Sequence, residues 1–238
     1  MLRPPLAPCA VLAAALSSLA LAGPAAAQAP GSVTSFEAGF TTARPDTSSG
    51  YTLRVTAMPP ASGAVLPPFL RQTVRFPAGT RFDTRGGRRC TAPDTEVAER
   101  GARLVCPAAS RIGTGTAEGI LAGQPVRFDL VAYNFPGRVH FAAERDGQPL
   151  GQGCFGAYAG RTLTLEVPTA GGAIAPTLFE AEIGASERGS RRYLTTPRRC
   201  PAARRWRVVS TFVGLSALPG GTAVGTAQRA TAAVPCRR

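Results

Sequence analysis

The sequence predicts an all-β protein, an antiparallel β-sandwich that is either immunoglobulin-like or made of two stacked small β-domains, with one short helical insert. Three observations carry this prediction. Short segments that alternate between apolar and polar residues are separated by Gly, Pro and Ser. Only one stretch has the signals of a helix. Five cysteines follow an export signal, as in disulfide-braced extracellular domains.

The first 27 residues have the pattern of a secretory signal peptide. Arg3 is their only charge, and Ala10 to Ala22 form a 13-residue apolar run that is too short to cross a bilayer. Ala25 to Ala27 supply the small residues that signal peptidase requires. We expect cleavage after Ala27 and a secreted, extracellular or envelope-associated mature chain. No later segment predicts a membrane span.

The mature chain, 28–238, is expected to form one disulfide-braced domain, with a subdivision near 146–160 as the alternative. Residues 126–131 and 161–167 alternate most clearly, which predicts one buried and one exposed face in an antiparallel sheet. The predicted strands are Ser35–Thr42, Tyr51–Ala57, Leu70–Phe76, Gly113–Leu121, Val126–Tyr133, Arg138–Glu144, Thr162–Val167, Leu178–Ile183, Trp206–Val213 and Thr222–Val234.

The helical insert is predicted from its start and stop signals. Thr91 is placed as the N-cap, Pro93 lies in the first turn, and Asp94 follows three residues after the cap. Glu96 to Arg100 continue the helix, and Gly101 can end it.

Cysteine spacing alone does not settle which residues are bonded. Cys9 leaves with the signal peptide, and five cysteines remain. We favour Cys90–Cys106, which would clamp the two ends of the helical insert. We also favour Cys200–Cys236, which would pin the C-terminal strand. Cys154 is then unpaired.

The charge balance points to anionic partners. The chain has 27 basic residues, all arginine, and 14 acidic ones, so the net charge is +13, or +12 once Arg3 is removed. A strongly cationic exported protein associates with anionic surfaces at low salt. We therefore expect an anionic envelope polymer or another extracellular ligand as partner, and no specific nucleic-acid binding. The oligomeric state is not predicted.

The densest basic segment, residues 198–207, contains the candidate anion-binding residues Arg204, Arg205, Trp206 and Arg207. Arginine beside an exposed aromatic ring can hold phosphate or sulfate groups. The favoured interpretation of Trp206 is simpler: it alternates with Val208 and Phe212 and belongs to the core, while Arg205 and Arg207 face the solvent.

No catalytic, metal or cofactor site is predicted. The sequence has one histidine, no CxxC motif and no GxSxG motif, which leaves zinc binding and the common serine hydrolase pattern unsupported. The favoured interpretation of Cys154 and His140 is that both are ordinary strand residues. In the alternative, Cys154 is a nucleophile and His140 is its base.

Several motifs resemble a group of exported actinobacterial β-rich proteins with paired cysteines. They are TVRFPAGTRFD at 73–83, GARLVCPAASRIGTGTA at 101–117, a later Cys-Pro with a tryptophan six residues after the cysteine, and a terminal Pro-Cys. The resemblance spans Leu53 to Cys236. It implies an exported β-rich fold with paired cysteines and carries over no catalytic residue. Members often have an aromatic-Asp-Gly turn near the last hairpin, where this chain has Leu218-Pro219-Gly220-Gly221.

These observations favour an exported, non-enzymatic binding or structural module of the cell envelope or extracellular medium. The alternative is a secreted hydrolase that acts on wall material or polysaccharide. That alternative requires a concave site with at least two convergent acids, or an exposed Cys154 beside His140.

Overall fold

The computed structural model describes residues 32–58, 71–121, 123–166, 174–218, 221–224 and 227–237. The helices are α1 Asp94–Arg100 and α2 Ala102–Val105, with 3-10 turns at Thr84–Gly86 and Ala108–Ser110. The strands are β1 Ser32–Phe40, β2 Tyr51–Met58, β3 Arg71–Arg75, β4 Arg81–Phe82, β5 Arg111–Leu121, β6 Gln124–Phe135, β7 Arg138–Arg145, β8 Gln148–Ala159, β9 Thr162–Glu166, β10 Ile174–Ile183, β11 Glu187–Arg188, β12 Arg191–Arg192, β13 Leu194–Thr195, β14 Arg205–Val213, β15 Leu215–Leu218, β16 Gly221–Val224 and β17 Gln228–Pro235.

Eleven of these strands form one antiparallel sheet in the order β1-β2-β10-β5-β6-β7-β8-β9-β3-β14-β17. The two edge strands lie beside each other, since the Val33 amide donates to Gln228 Oε1 at 2.8 Å. The sheet therefore bends over on itself and encloses the main core between two layers. The predicted all-β, antiparallel class with a short helical insert is confirmed.

The main core is built from the inward faces of the strands, which alternate as the sequence predicts. In β2, Tyr51, Leu53 and Val55 are buried, while Thr52 and Arg54 between them are exposed. Aromatic rings join distant strands, as where Phe36 of β1 meets Phe212 of β14 edge to face at 6.0 Å. Such contacts hold the two layers together.

A second, smaller core lies on the outer side of β6 and β7, beneath the helical insert. Val97 of α1 and Ala102 of α2 are buried there against Tyr133 and Phe135. The Cys90–Cys106 disulfide closes the insert at its two ends. The insert thus covers a stretch of sheet that would otherwise face the solvent.

The predicted helix start is wrong by two residues. Helix α1 begins at Asp94, with Pro93 rather than Thr91 at the N-cap and no side-chain cap bond. The Asp94 carboxylate is instead held by the Arg138 guanidinium, with Nη1 to Oδ2 at 2.8 Å. Gly101 does end the helix, with a φ of 81° that favours glycine.

Strand β8 has no counterpart among the predicted strands. Its sequence, QPLGQGCFGAYA, is rich in glycine and contains a proline, and both residue types are unfavourable inside strands. The glycines allow close packing instead: a Cβ on Gly153 would stand 2.1 Å from His140 Cε1. Residues 148–159 lie between β7 and β9, so the sheet continues through the stretch considered as a boundary near 146–160.

The last predicted strand, 222–234, is divided between β16 and β17. Strand β16 pairs with β15 in a separate hairpin, while β17 pairs with β14 in the large sheet. The predicted signal peptide and the first residue of the strand predicted from Leu70 lie outside the described residues.

Candidate arginine groove

The candidate site lies on the outer face of β3, β14 and β17. Along β14, Trp206 and Val208 point into the core while Arg205 and Arg207 are exposed. The same alternation leaves Arg75 exposed at the end of β3. Side chains on a strand alternate between faces, so the apolar residues that build the core leave these arginines on the surface.

Strand register brings the arginines of the three strands together. Arg75 is opposite Val209, and Arg229 of β17 is opposite Thr211, two residues further along β14. Arg207 lies two residues from Val209 in the other direction. Hydrogen-bonded strands are about 4.8 Å apart, so the long side chains can reach a common ligand.

Two loops add further arginines to this surface. Arg161 lies in the turn between β8 and β9, and its carbonyl accepts a hydrogen bond from the Phe76 amide at 3.0 Å. The carbonyl of Arg199 accepts one from Trp206 Nε1 at 3.1 Å. These backbone bonds fix both loops against the sheet.

We call the resulting concave surface the arginine groove. It has a volume of about 600 Å³ and contains six arginines: Arg75, Arg161, Arg199, Arg205, Arg207 and Arg229. The Cys200–Cys236 disulfide borders the groove and ties its loop to the C-terminal end of β17.

None of these six guanidinium groups forms an ion pair with any residue in the described part of the chain. All 14 acidic residues of the sequence lie within the described segments. Elsewhere arginines do find carboxylates, as Arg54 does with Glu180 at 3.0 Å and Arg127 with Glu118 at 3.1 Å. The positive charge of the groove is therefore not balanced by a neighbouring side chain.

The groove lining offers little chemistry besides positive charge. Apart from the arginines, the lining consists of apolar residues and the disulfide-bonded Cys200. The two aromatic residues in the lining, Phe76 and Trp206, are 1% and 3% exposed. The surface can bind anions but presents no open ring to a ligand.

The four predicted binding residues do not all lie on one exposed surface. Arg205 and Arg207 line the groove. Arg204 stands outside the lining, in a turn with a φ of 51°, where its carbonyl accepts from the Cys236 amide at 2.9 Å. Trp206 packs edge to face against Phe40 at 5.4 Å. The candidate binding role of Trp206 is corrected, because its ring belongs to the core, as the favoured interpretation predicts.

Sequence reasoning missed the other four arginines of the groove. Arg75 and Arg229 fall within predicted strands, so their exposure could be inferred from alternation. Their closeness to Arg207 could not, because it depends on which strands become neighbours. Arg199 lies in the basic segment 198–207 but was not among its candidate binding residues, and Arg161 lies in a turn with no pattern that marks it.

Cys154 and His140 do not form a nucleophile and base pair. Strands β7 and β8 pair Phe141 with Cys154 and His140 with Phe155, so Cys154 faces the main core and His140 the opposite side of the sheet. The Cys154 thiol donates to the Glu166 carbonyl at 2.7 Å. Burial, followed by the nearby Glu166, raises the pKa of Cys154 to about 12. The structure therefore contradicts the form of the hydrolase alternative that uses Cys154 as nucleophile and His140 as base.

His140 lies in a buried polar region beneath the helical insert. Its Nδ1, the Tyr133 hydroxyl and Glu144 Oε1 are buried without a hydrogen-bond partner. Burial, and then the positive charge of Arg138, lowers the pKa of His140 to about 4. Among the described residues, no group of three His, Cys, Asp or Glu side chains could hold a metal ion.

A smaller hollow of about 310 Å³ lies on the other layer of the sandwich, over β1, β2 and β10. Glu37, Glu180 and Glu182 line it, together with Arg54. Arg54 holds Glu180 in an ion pair in which both side chains are about half exposed. Three acids converge at this hollow, which is the kind of site that the hydrolase alternative requires.

No family model matches the chain, and no curated protein matches it. Among solved structures, it is similar to the T6 backbone pilin of serotype M6 Streptococcus pyogenes, a modular three-domain structure, with a TM-score of 0.39 and 8% identity. The match covers 86% of this chain and 36% of the pilin chain, so this chain spans about a third of that protein.

In the described segments, no helix is long and apolar enough to cross a membrane.

Proposed function

We propose that this protein is an exported binding module that holds an anionic polymer of the cell envelope or extracellular medium in the arginine groove. One observation carries the proposal: six arginines share one groove and none has a carboxylate partner among the described residues.

Clustered unpaired arginines are unfavourable in the free protein, because like charges in one groove repel each other. An anionic ligand relieves this repulsion and releases its own counterions. Guanidinium groups also form two parallel hydrogen bonds with one oxyanion, which adds direction to the attraction. The groove therefore gains most from a ligand that carries several negative charges.

Export is supported by two independent features of the chain. Residues 1–27 have the composition of a signal peptide. The folded domain contains the disulfides Cys90–Cys106 and Cys200–Cys236, and disulfides are typical of proteins that fold in oxidising compartments. An anionic polymer outside the cytoplasm is thus the matching class of partner.

The proposal is tested by comparing two variants with the same change of net charge. In the first, Arg75, Arg207 and Arg229 are replaced by Gln. In the control, Arg44, Arg88 and Arg145 are replaced by Gln; these are exposed, unpaired and outside the groove. Circular dichroism and thermal unfolding verify that both variants fold.

Each protein is bound to envelope material of the host and eluted with increasing salt. We expect the groove variant to elute at clearly lower salt than the control, with an affinity about 100-fold weaker at low salt. Equal elution of the two variants would mean that net charge alone explains retention, and would overturn the proposal.

A further inference from the structure

The arginine groove continues into a second groove at the end of the sandwich. This second groove has a volume of about 750 Å³ and is lined by parts of β4, the turn before β9 and the β11–β12 hairpin. Arg161 lines both grooves. The two concave surfaces therefore meet at one side chain.

The second groove differs from the first in its charge balance. Arg85 is held by Asp83 at 2.9 Å, and Arg81 by Asp46 at 3.0 Å. Arg191 has no ion-pair partner among the described residues. An anionic ligand is therefore attracted most strongly to the arginine groove. The second groove attracts it more weakly, through Arg161 and Arg191.

We propose that one linear polymer with a phosphate group in every repeat runs through both grooves and passes over Arg161. This inference rests on the proposed function and names the class of polymer that the site takes. It also assigns Arg191 as a contact that only a long ligand reaches.

The lining of the arginine groove favours phosphate over sugar recognition. Sugar hydroxyls both donate and accept hydrogen bonds, so proteins bind them with side chains that supply acceptors, such as Asn, Asp and Glu. The lining contains none of these, and its one other polar side-chain group, Trp206 Nε1, is already bonded to the Arg199 carbonyl. The ligand must therefore be held through its charges, which requires an anion in each repeat.

The density of arginines favours phosphate over carboxylate. A planar carboxylate is well satisfied by one guanidinium in a two-pronged contact. The oxygens of a tetrahedral phosphate point in several directions and can accept from guanidinium groups on different strands. Arg75, Arg207 and Arg229 approach from three neighbouring strands. Because Phe76 and Trp206 are buried, nucleic-acid bases gain no stacking here.

The test uses a matched pair of arginines in one hairpin. Arg188 of β11 and Arg191 of β12 are directly opposite each other, both exposed, and only Arg191 lines the second groove. Binding of tripolyphosphate, long-chain polyphosphate, poly-glutamate and single-stranded DNA is measured by calorimetry at several salt concentrations. The purified protein is compared with its Arg191→Gln and Arg188→Gln variants.

We expect long-chain polyphosphate to bind at least about tenfold more tightly than tripolyphosphate, with a steeper salt dependence. Arg191→Gln lowers the affinity for the long chain by about threefold and reduces the salt slope by about one, and leaves tripolyphosphate binding unchanged. Arg188→Gln changes neither.

Each contrary outcome contradicts a different part of the account. No binding of any of these polyanions at low salt overturns the proposed function itself, whereas binding of poly-glutamate alone overturns only the assignment of phosphate. Tight binding that does not depend on chain length or on Arg191 overturns the continuous track and leaves the arginine groove intact. Equal affinity for poly-glutamate, or a much higher affinity for single-stranded DNA, overturns the assignment of a simple phosphate polymer.

Discussion

At the scale of single residues, the face of a strand decides what a side chain can do. Cys154 and His140 lie on neighbouring strands, yet the sheet separates them. The alternation around His140 suggests a polar, exposed face in the sequence. In the structure the helical insert covers that face, and His140 is 4% exposed. The helical insert comes from a distant part of the chain, so the alternation around His140 does not indicate that this face is covered.

Cys154 is expected to be chemically inert in the native protein. Burial raises the pKa of its thiol to about 12, so almost no thiolate is present at neutral pH. Iodoacetamide at pH 8 should leave the folded protein unlabelled, and should modify one cysteine once the protein is unfolded without reduction. Stoichiometric labelling of the folded protein, detected by mass spectrometry, would contradict the buried position of Cys154.

His140 is expected to make the protein less stable in mild acid. The pKa of His140 is lowered to about 4 in the folded state from 6.5, so between these values the unfolded chain binds a proton that the folded chain does not. The free energy of unfolding should fall as the pH drops from 6.5 to 4, by up to about 3 kcal/mol.

The pH effect can be assigned cleanly because the sequence contains one histidine. Urea unfolding of the His140→Gln variant should be nearly independent of pH between 6.5 and 4.5. The same slope in wild type and variant would show that other groups titrate in this range.

At the scale of elements, alternation predicted most strands because one face of each is buried. Strands β2, β9 and β14 match closely the segments read from the sequence. Strand β8 escaped prediction because glycines replace the large side chains at positions where His140 and Leu163 pack closely. Strand partners were not predictable, since β3 lies between β9 and β14, which are far from it in the chain.

The two disulfides are expected to have similar effects on stability and different effects on binding. Replacing Cys200 and Cys236 by Ser should lower the free energy of unfolding by about 4 kcal/mol, because the unfolded chain loses a 36-residue cross-link. It should also weaken polyphosphate binding several-fold, since the loop that carries Arg199 is then released.

Replacing Cys90 and Cys106 by Ser is the matched control. It opens a 16-residue loop and should cost about 3 kcal/mol while leaving polyphosphate binding unchanged, because the insert lies away from the groove. Denaturant unfolding and calorimetry measure the two effects separately. Equal loss of binding in both double variants would contradict the role given to the Cys200–Cys236 bridge.

At the scale of the whole molecule, charge is distributed unevenly between the layers of the sandwich. The outer face of β3, β14 and β17 carries the arginine groove, while Glu37, Glu180 and Glu182 line the hollow over β1, β2 and β10. The net charge of the sequence predicts attraction to anions in general. Only the folded arrangement concentrates unpaired arginines at one place.

Only part of the candidate site could be predicted from the sequence, because its arginines come from separate strands. Arg205 and Arg207 lie in one basic segment and could be identified from the sequence. Arg75 and Arg229 come from strands far away in the chain, and the sheet order that joins them to β14 is a property of the whole fold. The site is thus a result of topology more than of a local motif.

The central claim is that anions are held in the arginine groove rather than over the whole surface. Phenylglyoxal modification of each arginine, followed by mass spectrometry with and without long-chain polyphosphate, tests this directly in the unaltered protein. The account predicts strong protection of Arg75, Arg205, Arg207 and Arg229, and none of the exposed Arg44 and Arg145. Uniform protection of all these arginines, or no protection in the groove, would contradict it.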